Sequence, residues 1–435
     1  MTARSAEQAQ FAASLHDMLA DAEVPAAARR WAAGDRAPGL AVWRALAALG
    51  VTALAVPERA GGLGASFADV VVACEELGHH AVPGPVAESV AAVPMLLAAL
   101  LAAAPAADSA AGGPAGEDLA DGGMADGDLA YGGMAGGVLV GGTWPVPWLA
   151  GLAAGELIAT AAMPPWLPWA VDADAAGLVL LAAGDTVRVA APGARYRSVD
   201  PGRSLSRVTG GQLLARGAAV AVAIARALDA GALACAAQLL GAGRALLAAS
   251  VRHAGQRAQF GRPIGAFQAV KHQLADVAIG LEFAGPLLDA AAAALDEDDE
   301  HAARDVSAAK VACTEAARRA ARTALQVHGA IGYTEELDLH LWLLKVRALA
   351  GAWGSQAEHR ARVMATISMP ADGGSADRKP AMDPPAAGQP TAGQPIATGR
   401  SAAADVTGRG AAAREAAGPD AAAGETAAAG EPAWS

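Results

Sequence analysis

The stretch from Gln256 to Gln268, QRAQFGRPIGAFQ, sets Arg257, Phe260, Gly261 and Gln268 at the junction of two strongly helical segments. A plain helix connection has no need of a guanidinium, an aromatic ring and an amide in that order. Taken alone, Arg257 reads as a cation serving the last carbonyls of a helix, and Phe260 as core. The rest of the chain decides between that reading and a binding edge.

With 435 residues, 54% of them hydrophobic, the chain is long enough for two or three packed domains. Alanine and glycine supply much of the apolar content and aromatics only 4%. Helix propensity therefore carries more weight than large aromatic cores, and the expectation is a mainly α fold. Cys74, Cys235 and Cys313 lie far apart, with no CxxC pair and no neighbouring histidine, so no metal site is expected and a reducing, cytoplasmic setting suits them. The first residues, MTARSAEQAQFAASLHDML, form an amphipathic helix pattern with Phe11, Leu15 and Leu19 on one face and no export signal. The apolar run Val90 to Ala107 carries Pro94 and Pro105 and lacks positive flanks, so no membrane span is expected.

The net charge is −12, and no Lys or Arg occurs between Arg59 and Arg188. Cations for a phosphorylated cofactor must come from outside that desert, mainly from the C-terminal half. Nucleic acid is not expected as a partner, because no basic stripe interleaved with aromatics occurs.

Five segments follow from composition and periodicity. Residues 1–100 read as an N-terminal helical domain, in which Ser66 caps a helix bearing Phe67, Val70, Cys74 and Leu77. The VPERAGGLGAS loop inside it lacks a phosphate-loop pattern and reads, on its own, as a turn. Residues 101–147 form a low-complexity insertion in which DLADGGMA nearly repeats as DLAYGGMA. Residues 148–216 alternate apolar runs and turns as a small β middle domain. Residues 217–368 are helical, with Val270, Leu274, Val277 and Leu281 on one face and breaks at FGRP, DEDDEH and HGAIGY, a four-helix bundle. Residues 369–435 are poor in large apolar groups and read as a disordered tail whose loss leaves the fold intact.

This layout resembles the acyl-CoA dehydrogenase family, and the quoted stretch makes the resemblance specific. RAQFGRPIGAFQ resembles the family's R-x-x-F-G motif with its downstream glutamine. ALQVHGAIGYTEELDLHLWL resembles its Q-x-x-G-G-x-G motif, and WRALAALGVTALAVPERAGGLGASFADVVVACEELG its N-terminal pattern. The resemblance covers about residues 40 to 365 without the insertion. It implies a helical N-terminal domain, a reduced β-barrel middle domain and a C-terminal four-helix bundle, with FAD as cofactor. It further implies α,β-dehydrogenation of an acyl-CoA thioester in lipid metabolism, with an electron-transfer flavoprotein as redox partner.

The resemblance also answers the opening question. It implies that Arg257, Phe260 and Gln268 face the FAD of a neighbouring subunit, the arginine on the pyrophosphate, the ring near the adenine end and the glutamine on the polar middle. A guanidinium suits a diphosphate by its planar fork and permanent charge, and Gln offers both donor and acceptor. Gln326, Val327, His328 and Gly329 would approach the same cofactor through their backbone, and Asp229 would contact the acyl-CoA.

The catalytic positions depart from the pattern. The family's glutamate base, counted from the glycine motif, falls on Trp353, and the alternative base on the first bundle helix falls on Gly231. Neither side chain can accept a proton. Segments that line the flavin ring and thioester have no counterpart, and TAAMPPWLPWAVDADAAG stands in their place. Glu335, Glu336 and Asp338 are nearby carboxylates that are expected to cap the next helix, Glu336 being the fallback base. The leading expectation is a family member that works as a partner subunit, in a homo-oligomer or with an intact relative. The alternatives are a catalytically silent structural subunit and a flavin-free scaffold for acyl-CoA or protein.

Overall fold

The computed structural model of the chain describes residues 4–103, 144–334 and 336–367. The repeat-bearing core of the insertion and the tail expected to be disordered lie outside those residues. Among the described residues, six helices make the N-terminal part: α1 (Ala6–Asp21), α2 (Val24–Ala32), α3 (Ala37–Ala48), α4 (Phe67–His79), α5 (Val93–Ala103) and, after the insertion, α6 (Pro145–Ala153). Leu15 and Leu19 of α1 are buried as their spacing predicts. Ser66 does cap α4: its hydroxyl accepts from Asp69 N, and the Asp69 carboxylate accepts from Ser66 N. The VPERAGGLG loop is a tight turn built on a 3-10 segment, Glu58–Ala60, with Gly64 N–H donating to Val56 O at 2.8 Å. The apolar run that starts at Val90 begins inside a π-helical turn, Glu88–Ala92, and leads into α5, where Val93, Leu96, Leu97 and Leu100 are buried.

The middle part is one five-stranded sheet of β1 (Ala159–Ala162), β2 (Ala170–Val171), β3 (Leu178–Ala183), β4 (Thr186–Arg197) and β5 (Ser204–Arg216) in the order β1-β3-β4-β5-β2. Only β1–β3 is parallel. Three register shifts in the β4–β5 ladder curl the sheet until its two edges meet, where Val171 N–H donates to Thr160 Oγ1 at 3.0 Å. The barrel is thus closed by a side chain and not by a backbone ladder.

The C-terminal part holds three long helices, α7 (Ala218–Gln256), α8 (Gln268–Asp296) and α9 (Ala302–His328). The fourth position in the bundle is shared by α10 (Leu339–Leu349) and α11 (Gln356–Ile367). Between α7 and α8 runs a minimal hairpin, β6 (Ala258–Gln259) and β7 (Arg262–Pro263). By length and composition α7 and α8 could each cross a membrane, but α7 is largely buried as the central helix of the bundle. One continuous apolar core runs from α1 through the sheet to α10, and a small second cluster of Ala170, Ala173, Val179 and Ala190 packs on the sheet.

α7 meets α4 backbone to backbone. A Cβ on Gly78 of α4 would lie 2.5 Å from Gln238 Cα, and one on Gly241 of α7 would lie 2.8 Å from His79 N. Glycine is required at both places because any side chain would force the helices apart. Gly255, near the end of the same helix, has open space around it. We therefore expect opposite signs from the same substitution: Gly241→Ala costs about 3 kcal/mol, and Gly255→Ala gains about 0.5–1 kcal/mol from helix propensity. Urea denaturation of the two variants beside the parent checks both values.

Candidate functional site

The hairpin after α7 turns at Phe260 and Gly261, whose φ angles are +54° and +78°. Two consecutive positive φ values are the signature of a tight hairpin turn that favours Asn-Gly, and a bulky aromatic residue avoids that region. The turn holds the Phe260 ring out of the protein, 91% exposed, with only an edge-on contact to Phe267 at 6.1 Å. The default reading of Phe260 as core is therefore wrong. Arg257 is the C-cap of α7, and its N–H donates to His253 O. Among the described residues the side chains of Arg257, Gln268 and Gln326 are exposed and make no hydrogen bond or ion pair. His328 is buried, donates Nδ1–H to Ala324 O at 2.8 Å, and stacks on His253 with ring centres 4.3 Å apart. That stack joins the end of α7 to the end of α9, so the two motifs form one edge. Val327 is half-buried beside it, and Gly329 is exposed with φ +62°.

The two positions at which the resemblance places a base meet in space. Gly231 lies in the buried middle of α7, and Trp353 lies in the link between α10 and α11, 1% exposed. A Cβ on Gly231 would stand 2.5 Å from Trp353 Cε3, so the indole lies flush on the glycine. Trp353 and Gly354 both have positive φ, +58° and +92°, which breaks the helix and turns the indole inward. The link is tied down on both sides. Lys310 Nζ, fully buried, donates to Leu349 O at 3.1 Å, and His359 Nε2–H donates to Trp353 O at 2.8 Å. Because a carbonyl can only accept, His359 Nδ1 is left to accept from Ser307 Oγ at 3.1 Å. Burial pushes the His359 pKa down from its ordinary 6.5 to about 4.

Sequence reasoning missed the groups around this pair. Trp166, from the segment that replaces the family's flavin-lining residues, sits edge-on to His359 at 5.0 Å and under the Arg362 guanidinium. Arg362 forms a two-pronged pair with Asp229, one arm at 3.0 Å. Asp229 is thus already engaged, and an acyl-CoA contact through it must displace Arg362. Burial nonetheless pushes its pKa up. Glu88 is buried in the π-helical turn beside Trp353, with Arg203 4.0 Å away. Burial raises its pKa, while the Arg203 charge opposes the rise. Glu88 Oε1 and Trp353 Nε1 both lack a hydrogen-bond partner among the described residues. A lone carboxylate within the apolar run from Val86 to Leu101 was the signal available in the sequence. Glu336 is exposed, and Glu335 is outside the described residues. Asp338 occupies the N-cap of α10, yet it caps nothing, because its carboxylate pairs with Arg29 instead.

A family model for the acyl-CoA dehydrogenase N-terminal domain matches residues 5–106, and one for the C-terminal domain matches residues 217–368. The two flank the sheet. Acyl-CoA dehydrogenase IpdE2 of Mycobacterium tuberculosis is 31% identical over 331 residues, 75% of this chain and 86% of that protein. The chain belongs to the acyl-CoA dehydrogenase family. Its fold is that of solved members: butyryl-CoA dehydrogenase from Megasphaera elsdenii superposes with a TM-score of 0.67 at 18% identity, over 84% of this chain and 99% of that one. A chain of the ChsE4-ChsE5 complex from Mycobacterium tuberculosis gives 0.63 at 21% identity, over 85% and 99%.

Gly231 and Trp353 share one volume, so their substitutions are coupled. Gly231→Glu alone is expected to lose about 3 kcal/mol, and Trp353→Ala in the same chain to recover about 2 kcal/mol of that beyond additivity. A double-mutant cycle by chemical denaturation measures the coupling; a value near zero would separate the two positions.

His359 gives a pH signature. With a folded pKa below the unfolded one, its contribution to stability is complete above pH 6.5 and is lost as pH falls towards about 4. Buried carboxyls with raised pKa values, such as Asp229, work in the opposite sense, so the slope is isolated by difference. His359→Gln should remove a component that declines over that window, as read from unfolding free energies at a series of pH values.

Proposed function

We propose that this chain is a partner subunit of a flavin-dependent acyl-CoA dehydrogenase, lending a cofactor-binding edge to a neighbour while its own reaction centre is filled. The contrast between two places on one bundle carries this reading. At the α7–α8 hairpin, donors and an aromatic ring stand exposed and unpaired. At the base positions, Trp353 packs on Gly231 with no room for a substrate.

FAD is the cofactor of the family, and when bound it accepts the hydride from the acyl β-carbon. The edge fits such a group. Arg257 offers a free fork for a diphosphate, Gln268 and Gln326 offer amides, and the Phe260 ring is held out by strained backbone, a cost retained where a functional contact returns it. Gly329, exposed and without a side chain, admits close approach. The reaction centre does not fit: no carboxylate stands at either base position, and Trp166, His359 and Arg362 close the surrounding space. An exposed apolar row on α8, Ile279, Phe283 and Leu287 at four-residue spacing, supports assembly with another subunit. That a relative of the same fold was solved as the two-component ChsE4-ChsE5 complex favours an unlike partner.

A second reading, an enzyme active by itself, has Glu88 in its favour, since a buried carboxyl with a raised pKa beside Trp353 is poised as an acid–base group.

The test is expression of the chain alone and together with an intact family member from the same organism. Alone, the chain should be colourless and inactive; together, the complex should hold FAD and reduce dye with an acyl-CoA, and Arg257→Ala should lower its flavin content at least tenfold, the loss of a charge-assisted pair. Turnover by the chain alone overturns the partner reading. In that case Glu88→Gln should abolish activity with flavin retained, by about 10²–10⁴-fold for a general base.

A further inference from the structure

The described residues hold a histidine cluster that includes none of the site residues placed above. His16 on α1 and His79 and His80 at the end of α4 bring their ring nitrogens together, with one ligand atom from each lying within 4.8 Å of the others. His80 Nε2 is 3.1 Å from His16 Nδ1, and His16 Nδ1 is 3.0 Å from Glu76 Oε2. The same carboxylate oxygen is 4.0 Å from His80 Nε2. We propose that His16, His79 and His80, with Glu76 as the fourth ligand, bind a zinc-class divalent ion.

The spacing is what such an ion requires. Zinc held tetrahedrally at about 2.0–2.1 Å from nitrogen places its ligand atoms about 3.3 Å apart. The separations among His16, His80 and Glu76 bracket that value, and His79 lies within 4.8 Å of the other two rings, so rotation of the His79 ring completes the set. Three imidazoles and one carboxylate are a borderline donor set, suited to zinc and its neighbours and not to calcium or magnesium.

The scaffold under the cluster is fixed before any ion arrives. α1 is pinned to α4 by the Arg4–Glu75 pair and by Gln8 Nε2–H donating to Asp69 Oδ1 at 3.0 Å. The backbone at His79 is held by Trp342 Nε1–H, which donates to His79 O at 2.7 Å. Access is open as well, because the three rings line a cavity of about 440 Å³ that Arg252, His253 and His328 also line. In the sequence the cluster is hidden, since His16 lies on a different helix from the His79–His80 pair.

The experiment uses the full chain without a histidine tag, freed of metal by chelator and titrated with Zn²⁺ against a chromophoric competitor. It should take up about one ion per chain, with a rise in melting temperature on loading. His16→Ala and His80→Ala should each weaken binding at least about tenfold and remove the thermal shift, while His253→Ala, in the same cavity lining but outside the ligand set, should leave both unchanged. His16 is half-exposed, so its variant keeps the fold, which circular dichroism verifies. No stoichiometric uptake, or uptake that the His16 and His80 variants leave within about twofold, would overturn the proposal.

Discussion

The closeness of α4 to α7 sets the geometry of everything else. With glycine at 78 and 241, the two helices touch through main chain, a spacing no other residue pair would permit. Fixed by that contact, α4 delivers Glu75, Glu76 and the two terminal histidines at one level of the bundle. α7 carries Gly231 to the indole of Trp353 above, and the Arg257 hairpin to the exposed edge below. A single crossing thus fixes the filled reaction centre, the outward-facing motif and the histidine cluster relative to one another.

Electrostatics join the parts in a second way. The segment without Lys or Arg still buries acids, and each draws its cation from outside. Glu75 is met by Arg4 and Arg244, Glu88 by Arg203, and Asp172 by Arg36. Buried carboxylates without such partners would be costly. The N-terminal arm, the sheet and α7 are therefore stitched to the charge-poor middle by pairs that no single part could form alone. These pairs bind the three parts into one unit with one core.

Much of the fold was legible because it rests on local rules. The α4 cap at Ser66, the faces of α1 and α8 and the strand-like stretch LVLLAAGDTVRVAAPG are set by periodicity and by side chains a few residues apart, whereas the β domain read from residue 148 begins with helix α6 to Ala153 before β1. The R-x-x-F-G and glycine motifs were legible through the family resemblance alone. What sequence alone did not yield depends on contacts across distance. The split of the last bundle helix at Trp353 and Gly354 follows from an indole seeking the space over Gly231, which is 122 positions earlier in the numbering. Asp338 resembles a helix cap until Arg29, on another helix, takes its carboxylate. Asp229 was expected to be free for substrate because Arg362 lies beyond the last recognised motif.

The shared volume of Gly231 and Trp353 makes each position the condition for the other. The indole fits at 353 only over a residue without a side chain. A carboxylate placed at 231 meets a ring, and one placed at 353 leaves a void over the glycine. A lineage that reaches this state is held in it by packing, whether or not selection still asks anything of the chemistry.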